Sequence, residues 1–114
     1  MKYANGDEYN GHWAEGKRAG AGILEYSGGS GCYNGQFLND HREGKGSMGW
    51  PNGNYYDGSW RGGSQEGLGF MKFSNGSSFK GEWARGTMSG WGLLTYANGA
   101  EYEGQVRSGL PLAF

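Results

Sequence analysis

Gly44-Lys45-Gly46-Ser47-Met48-Gly49 matches G-x-G-x-x-G, the glycine pattern that lets a backbone close around phosphate. That chemistry needs a buried strand before the glycines and a helix after them, and Trp50-Pro51 forbids the helix. Cys32 with Asp40 and His41 could be assembled on paper as a nucleophile and its base. Asp40 and His41 are adjacent, however, and nothing nearby supplies an oxyanion site, so the set reads as a cysteine and a polar turn. His12 and His41 have no spacing that suits a structural metal with Cys32, and neither metal nor cofactor is called for. Lys17-Arg18 and His41-Arg42 put positive charge at equivalent places, read as loops, where anionic lipid could be met. Each such charge near an acidic surface contributes only about 1 kcal/mol.

The elements that carry these residues follow from a repeat. Tyr9, Tyr33, Tyr56, Phe79 and Tyr102 are spaced by 24, 23, 23 and 23 residues. Two places after each stands Gly11, Gly35, Gly58, Gly81 or Gly104, and two further stand Trp13, Phe37, Trp60, Trp83 and Val106. A small or turn-forming residue follows at Gly16, Asp40, Gly63, Gly86 and Gly109, then a G-x-G pair such as Gly20 and Gly22 or Gly90 and Gly92. Tyr26, Trp50, Phe73 and Tyr96 close the units, and Asn-Gly follows the last three and precedes the first unit at Asn5-Gly6. Gly44 and Gly46 are thus one instance of a pair that every complete unit has, which accounts for the phosphate-like pattern.

Tyr9-Asn10-Gly11-His12-Trp13 alternates ring and polar residue with period two, the period of a strand. The stretch Gly22 to Tyr26 alternates likewise, and Asn-Gly between alternating runs is a hairpin signal. Each unit is therefore read as a hairpin, with the glycines leaving room for rings from neighbouring strands to lie over the backbone. The 26 glycines would otherwise suggest a flexible chain, but five Trp, eight Tyr and five Phe provide a core that flexible chains lack.

Tyr-x-Gly-x-Trp, G-x-G, a closing aromatic and Asn-Gly at a 23-residue period resemble the MORN repeat (membrane occupation and recognition nexus) over essentially the whole chain. The resemblance implies an all-β fold, a single-layered, elongated, twisted antiparallel β-meander of about five hairpin repeats. One array is expected over residues 1–114, with a partial unit 1–8, units starting at 9, 33, 56 and 79, and a partial unit 102–114. About ten strands at roughly 4.8 Å spacing would extend on the order of 45 Å. Roles implied by the resemblance are scaffolding, partner binding and attachment to anionic phospholipid; repeats of this kind also accompany larger enzymes as regulatory regions.

A net charge of −1 removes the basic field of a general nucleic-acid binder. The single Cys32 cannot pair within the chain, which points to a reducing compartment and a cytoplasmic setting. The reading is a non-catalytic module that binds a protein partner. Leu68, Phe70, Trp91 and Leu93 are apolar on the side of the return strands away from the repeated rings, where Lys45 and Ser47 are polar. They form the first contact surface, since a single sheet has nothing of its own to cover them. Tyr33, Tyr56, Trp60 and Trp83 offer a second, through their ring edges. The half unit at Tyr3 to Gly6 and the segment Leu110 to Phe114 leave an edge strand open, which favours association of copies through the sheet ends.

Overall fold

Two kinds of reversal alternate along the chain and determine every strand. The computed structural model describes residues 1–107 and 110–111. Its strands are β1 (Glu8–Ala14), β2 (Lys17–Glu25), β3 (Cys32–Leu38), β4 (His41–Gly49), β5 (Tyr55–Arg61), β6 (Ser64–Lys72), β7 (Ser78–Ala84), β8 (Thr87–Thr95), β9 (Glu101–Arg107) and β10 (Leu110–Pro111). All lie in one sheet in sequence order, each antiparallel to the next. The body measures 49 × 25 × 17 Å, the long axis close to that expected of ten adjacent strands.

Within a hairpin the turn has two residues, both left-handed: Glu15 and Gly16, Asn39 and Asp40, Gly62 and Gly63, Arg85 and Gly86. Positive φ at both places is the type I′ geometry, whose twist suits an antiparallel pair. The Asn-Gly turns are of another kind. Gly99 N–H donates to Tyr96 O at 2.9 Å and Tyr96 N–H to Ala100 O at 2.8 Å, leaving three residues in the loop with a left-handed glycine last. The Asn98 side chain accepts from Ala100 N–H at 3.0 Å, as Asn5, Asn52 and Asn75 do two residues on. The longer first linker adds a 3₁₀ turn at Ser27–Gly29.

Each hairpin also has the same irregularity. Gly11 faces Gly22, but Trp13 faces Arg18, so one residue of β1 opposes three of β2. The first glycine of each pair sits in that bulge with positive φ, as Gly44 does at +82°. The second lies under a ring: a Cβ on Gly46 would stand 2.6 Å from Cε1 of Tyr33. The covering ring comes from the partner strand of the same hairpin and reaches along its own strand, where Tyr33 Oη donates to Gln36 O at 2.8 Å. That bond satisfies a carbonyl opposite the bulge. Tyr9, Tyr56 and Tyr102 repeat it; Phe79, without a hydroxyl, cannot.

β10 pairs with β9 through Leu110 opposite Arg107 and Pro111 opposite Val106, so the last strand expected to be open begins to be covered. Gly109 and Leu112 to Phe114 lie outside the described residues.

Candidate functional site

The repeated aromatics build one continuous row. Trp13, Tyr9, Phe37, Tyr33, Trp60, Tyr56, Trp83 and Phe79 touch in that order, each pair edge-to-face with centroids 5.0 to 5.7 Å apart. This geometry sets the positive edge of one ring against the negative face of the next. Trp60 Nε1 donates to Gly46 O at 2.9 Å and Trp83 Nε1 to Gly69 O at 3.2 Å, so each indole is fastened to the preceding hairpin. Leu24, Met48, Met71 and Leu94 complete the buried face.

Tyr33, Tyr56, Trp60 and Trp83 are therefore core residues, none more than 5 % exposed, and they leave the contact set drawn from the sequence. Burial pushes the Tyr33 and Tyr56 phenols up to about 12, against the Arg42 guanidinium and the Gln36 carbonyl for Tyr33 and the Ser59 carbonyl for Tyr56.

The basic residues are also placed differently from expectation. Lys17, Arg18, His41 and Arg42 are the opening residues of β2 and β4, not loops, because the preceding turns take only two residues. Strand alternation then directs Arg18 and Arg42 onto the rings. Arg18 lies 5.4 Å from the Phe37 centroid and pairs with Asp40 at 3.2 Å; Arg42 lies 4.6 Å from the Trp60 centroid and donates to Gly63 O at 2.5 Å. The Arg18 N–H, donating to Asp40 Oδ1 at 2.7 Å, holds the Asp40 carboxyl below its ordinary range, helped by the guanidinium and against partial burial. Both arginines are thus committed to packing, and Lys17 and His41 remain as the exposed members of the set. Gln65 occupies the equivalent place in the third unit and is buried.

The opposite face is open. Asp57, Phe70, Lys80, Leu93 and Glu103 stand in one cross-strand row, with Leu68 opposite Glu82 and Trp91 opposite Gln105 beside it. Apolar side chains come from β6 and β8, ionic ones from β5, β7 and β9. Leu68 is 66 % exposed, Trp91 58 % and Phe70 36 %, while Leu93 is half-buried. Together they line a groove of about 860 Å³, floored by Gly58, Gly69, Gly81 and Gly92, whose absent side chains would have pointed to the other face. Glu82 was not singled out from the sequence. Its Oε1 accepts from Trp91 N–H at 2.6 Å, using a donor that the bulge at Gly90 frees, and so fixes the backbone that presents Trp91.

Among the described residues no three His, Cys, Asp or Glu side chains gather as a metal would require. Cys32 is half-buried, and burial with the nearby Glu25 charge raises its thiol, the wrong direction for a nucleophile. Gly44 and Gly46 serve the bulge and the Tyr33 ring, and Lys45 Nζ donates to Ser59 Oγ at 3.1 Å. Gly44 and Gly46 of the phosphate-like pattern therefore have structural roles.

A hairpin array with one face closed by rings and the other left open is a β-repeat protein, each unit closed by its neighbour. The chain belongs to the MORN repeat family, whose model matches four consecutive copies at residues 9–31, 33–55, 56–78 and 79–101. Repeats of this family are generally protein- or membrane-interaction modules and are typically non-catalytic. No curated protein matches the chain significantly. Among the described residues no helix is long and apolar enough to cross a membrane.

Proposed function

We propose that the chain is a non-catalytic scaffold module that takes a protein partner on the open face, over Leu68, Phe70, Trp91 and Leu93. The observation that carries this reading is the exposure of three large apolar side chains beside one another in a groove that none of the described elements covers. Ionic residues between and beyond them, Asp57, Lys80 and Glu103, provide a polar surround of both signs, the composition of a protein contact rather than of a surface for acidic lipid. The packing of Arg18 and Arg42 against rings works against the lipid alternative in the same way.

The test pairs two assays on the wild-type chain and on Phe70→Thr/Trp91→Thr. Partners captured by the wild type and lost by the double variant, with no salt-sensitive sedimentation on vesicles containing acidic lipid, support the reading. Capture that survives the double variant, or vesicle binding abolished by removing Lys17 and His41, overturns it.

A further inference from the structure

The open-face groove alternates notch and ridge from strand to strand, and that spacing selects what it can hold. It crosses the strands from Lys45 on β4 to Glu103 on β9, over the backbone at Gly58, Gly69, Gly81 and Gly92. On β6 the glycine line is flanked by Leu68 and Phe70, on β8 by Trp91 and Leu93, and on β7 between them by Lys80 and Glu82. Members of each apolar pair stand two residues apart on their strand, about 6.7 Å, which makes a notch for one side chain. The ionic pair is the ridge between the two notches. With neighbouring strands about 4.8 Å apart, the notches lie about 9.6 Å from each other.

That distance discriminates among backbones. A polyproline II segment has three residues per turn and rises about 3.1 Å per residue, so residues i and i+3 leave one face about 9.3 Å apart with nothing between them there. An extended strand repeats its face every 6.7 Å or so and misses the second notch. An α-helix sets i and i+7 about 10.5 Å apart, but i+3 and i+4 then stand on the same face, over the Lys80 and Glu82 ridge. Charge adds a second selection. Asp57 and Glu103 are exposed, lie one strand outside each notch, and have no ion-pair partner among the described residues. Four strand spacings separate them, about 19 Å, close to the roughly 18.6 Å of six polyproline II residues. A second copy laid face to face with β6 on β8 would instead set Asp57 against Glu103 and Lys80 against Lys80.

We infer, resting on the reading of this face as a partner site, that the occupant is a proline-rich segment in the polyproline II conformation with a basic residue toward each end. Apolar residues at i and i+3 enter the two notches, and an arginine or lysine beyond each meets Asp57 or Glu103. The carbonyls of such a segment have no internal hydrogen bonds, and the exposed Lys80 ammonium and Trp91 indole N–H are donors for them. The segment is ordered before it binds, so little chain entropy is lost on an aromatic-walled groove.

The test titrates labelled peptides into the 114-residue chain and follows fluorescence anisotropy. The parent probe is Arg-Pro-Leu-Pro-Pro-Leu-Pro-Arg; a second probe has one more proline between the leucines, and a third has glutamate for both arginines. The parent should bind saturably and shift the Trp91 indole N–H resonance, and the other two should bind on the order of tenfold more weakly. Asp57→Lys/Glu103→Lys should reverse the charge preference, favouring the glutamate probe. Absence of parent binding, equal binding of the three probes, or a preference that the charge reversal leaves unchanged overturns the proposal. So does tighter binding of a helical probe with leucines at i and i+7, or self-association of the chain that Phe70→Thr/Trp91→Thr abolishes. The wider reading is judged apart from this: protein partners captured by the wild type and lost by Phe70→Thr/Trp91→Thr keep it standing even where the peptide preferences fail.

Discussion

Gly46→Ala isolates the steric role of the glycine beneath Tyr33, because Gly46 has no left-handed φ that alanine would find costly. The new methyl would overlap Tyr33 Oη and Cζ and stand 2.6 Å from Cε1, where ordinary contact begins at 3.4 Å, so the ring must retreat by more than about 1 Å. Tyr33 has little room to do so. It is fully buried, holds edge contacts to Phe37 at 5.1 Å and Trp60 at 5.3 Å, and donates to Gln36 O. Overpacking of this kind costs about 1 to 3 kcal/mol, and loss of the phenol hydrogen bond adds about 1, giving roughly 3 kcal/mol. Gly104→Ala is the control, since its Cβ would meet Tyr102 no closer than 2.8 Å and that ring is only half-buried. About 1 kcal/mol is expected there. Urea unfolding followed by tryptophan fluorescence measures both, and a Gly46→Ala cost no larger than that of Gly104→Ala would refute the packing argument.

Trp60→Phe should cost about 1 to 2 kcal/mol in the same assay, because it keeps an edge-to-face ring but loses the bond to Gly46 O and much of the Arg42 contact. The Tyr33 and Tyr56 phenols, raised from 10.0 to about 12, favour the folded state fully below pH 10 and lose that contribution as pH rises toward 12. Stability should therefore fall across that window, with tyrosinate absorbance appearing late; two buried phenols titrating near 10 would contradict it. Asp40, depressed below 3.8, contributes above that pH and loses the contribution as pH falls, so Asp40→Asn should flatten the acid limb of the stability profile.

The repeat, its strands and the ring face were legible in the sequence because strand period and glycine spacing agree in every unit. What the glycines do individually was not. Gly44 and Gly46 look alike in a sequence, yet one needs a left-handed backbone and the other needs no side chain. The arginines were misplaced for a related reason: a two-residue turn at Glu15 and Gly16 leaves Lys17 already in a strand, and alternation then sends Arg18 to the rings. Glu15 and Arg85 carry positive φ that their identities do not advertise, since neither side chain favours it. The rings of Tyr33 and Trp60 were read as contact groups because spacing places them on a face without telling how completely neighbours cover them. The exposure of Leu68, Phe70 and Trp91 was legible because they alternate out of phase with the rings, which a strand cannot reverse. Glu82 escaped notice because its role depends on a donor freed by a bulge.

The division of labour between the two faces is tested most directly by the equilibrium unfolding of Phe70→Thr/Trp91→Thr, threonine being chosen to keep β propensity. If the rings hold the fold and the other face is left for a partner, the double variant unfolds within about 1 kcal/mol of the wild type. A loss of about 3 kcal/mol or more, the cost of emptying a packed site, would make that patch core and contradict the account.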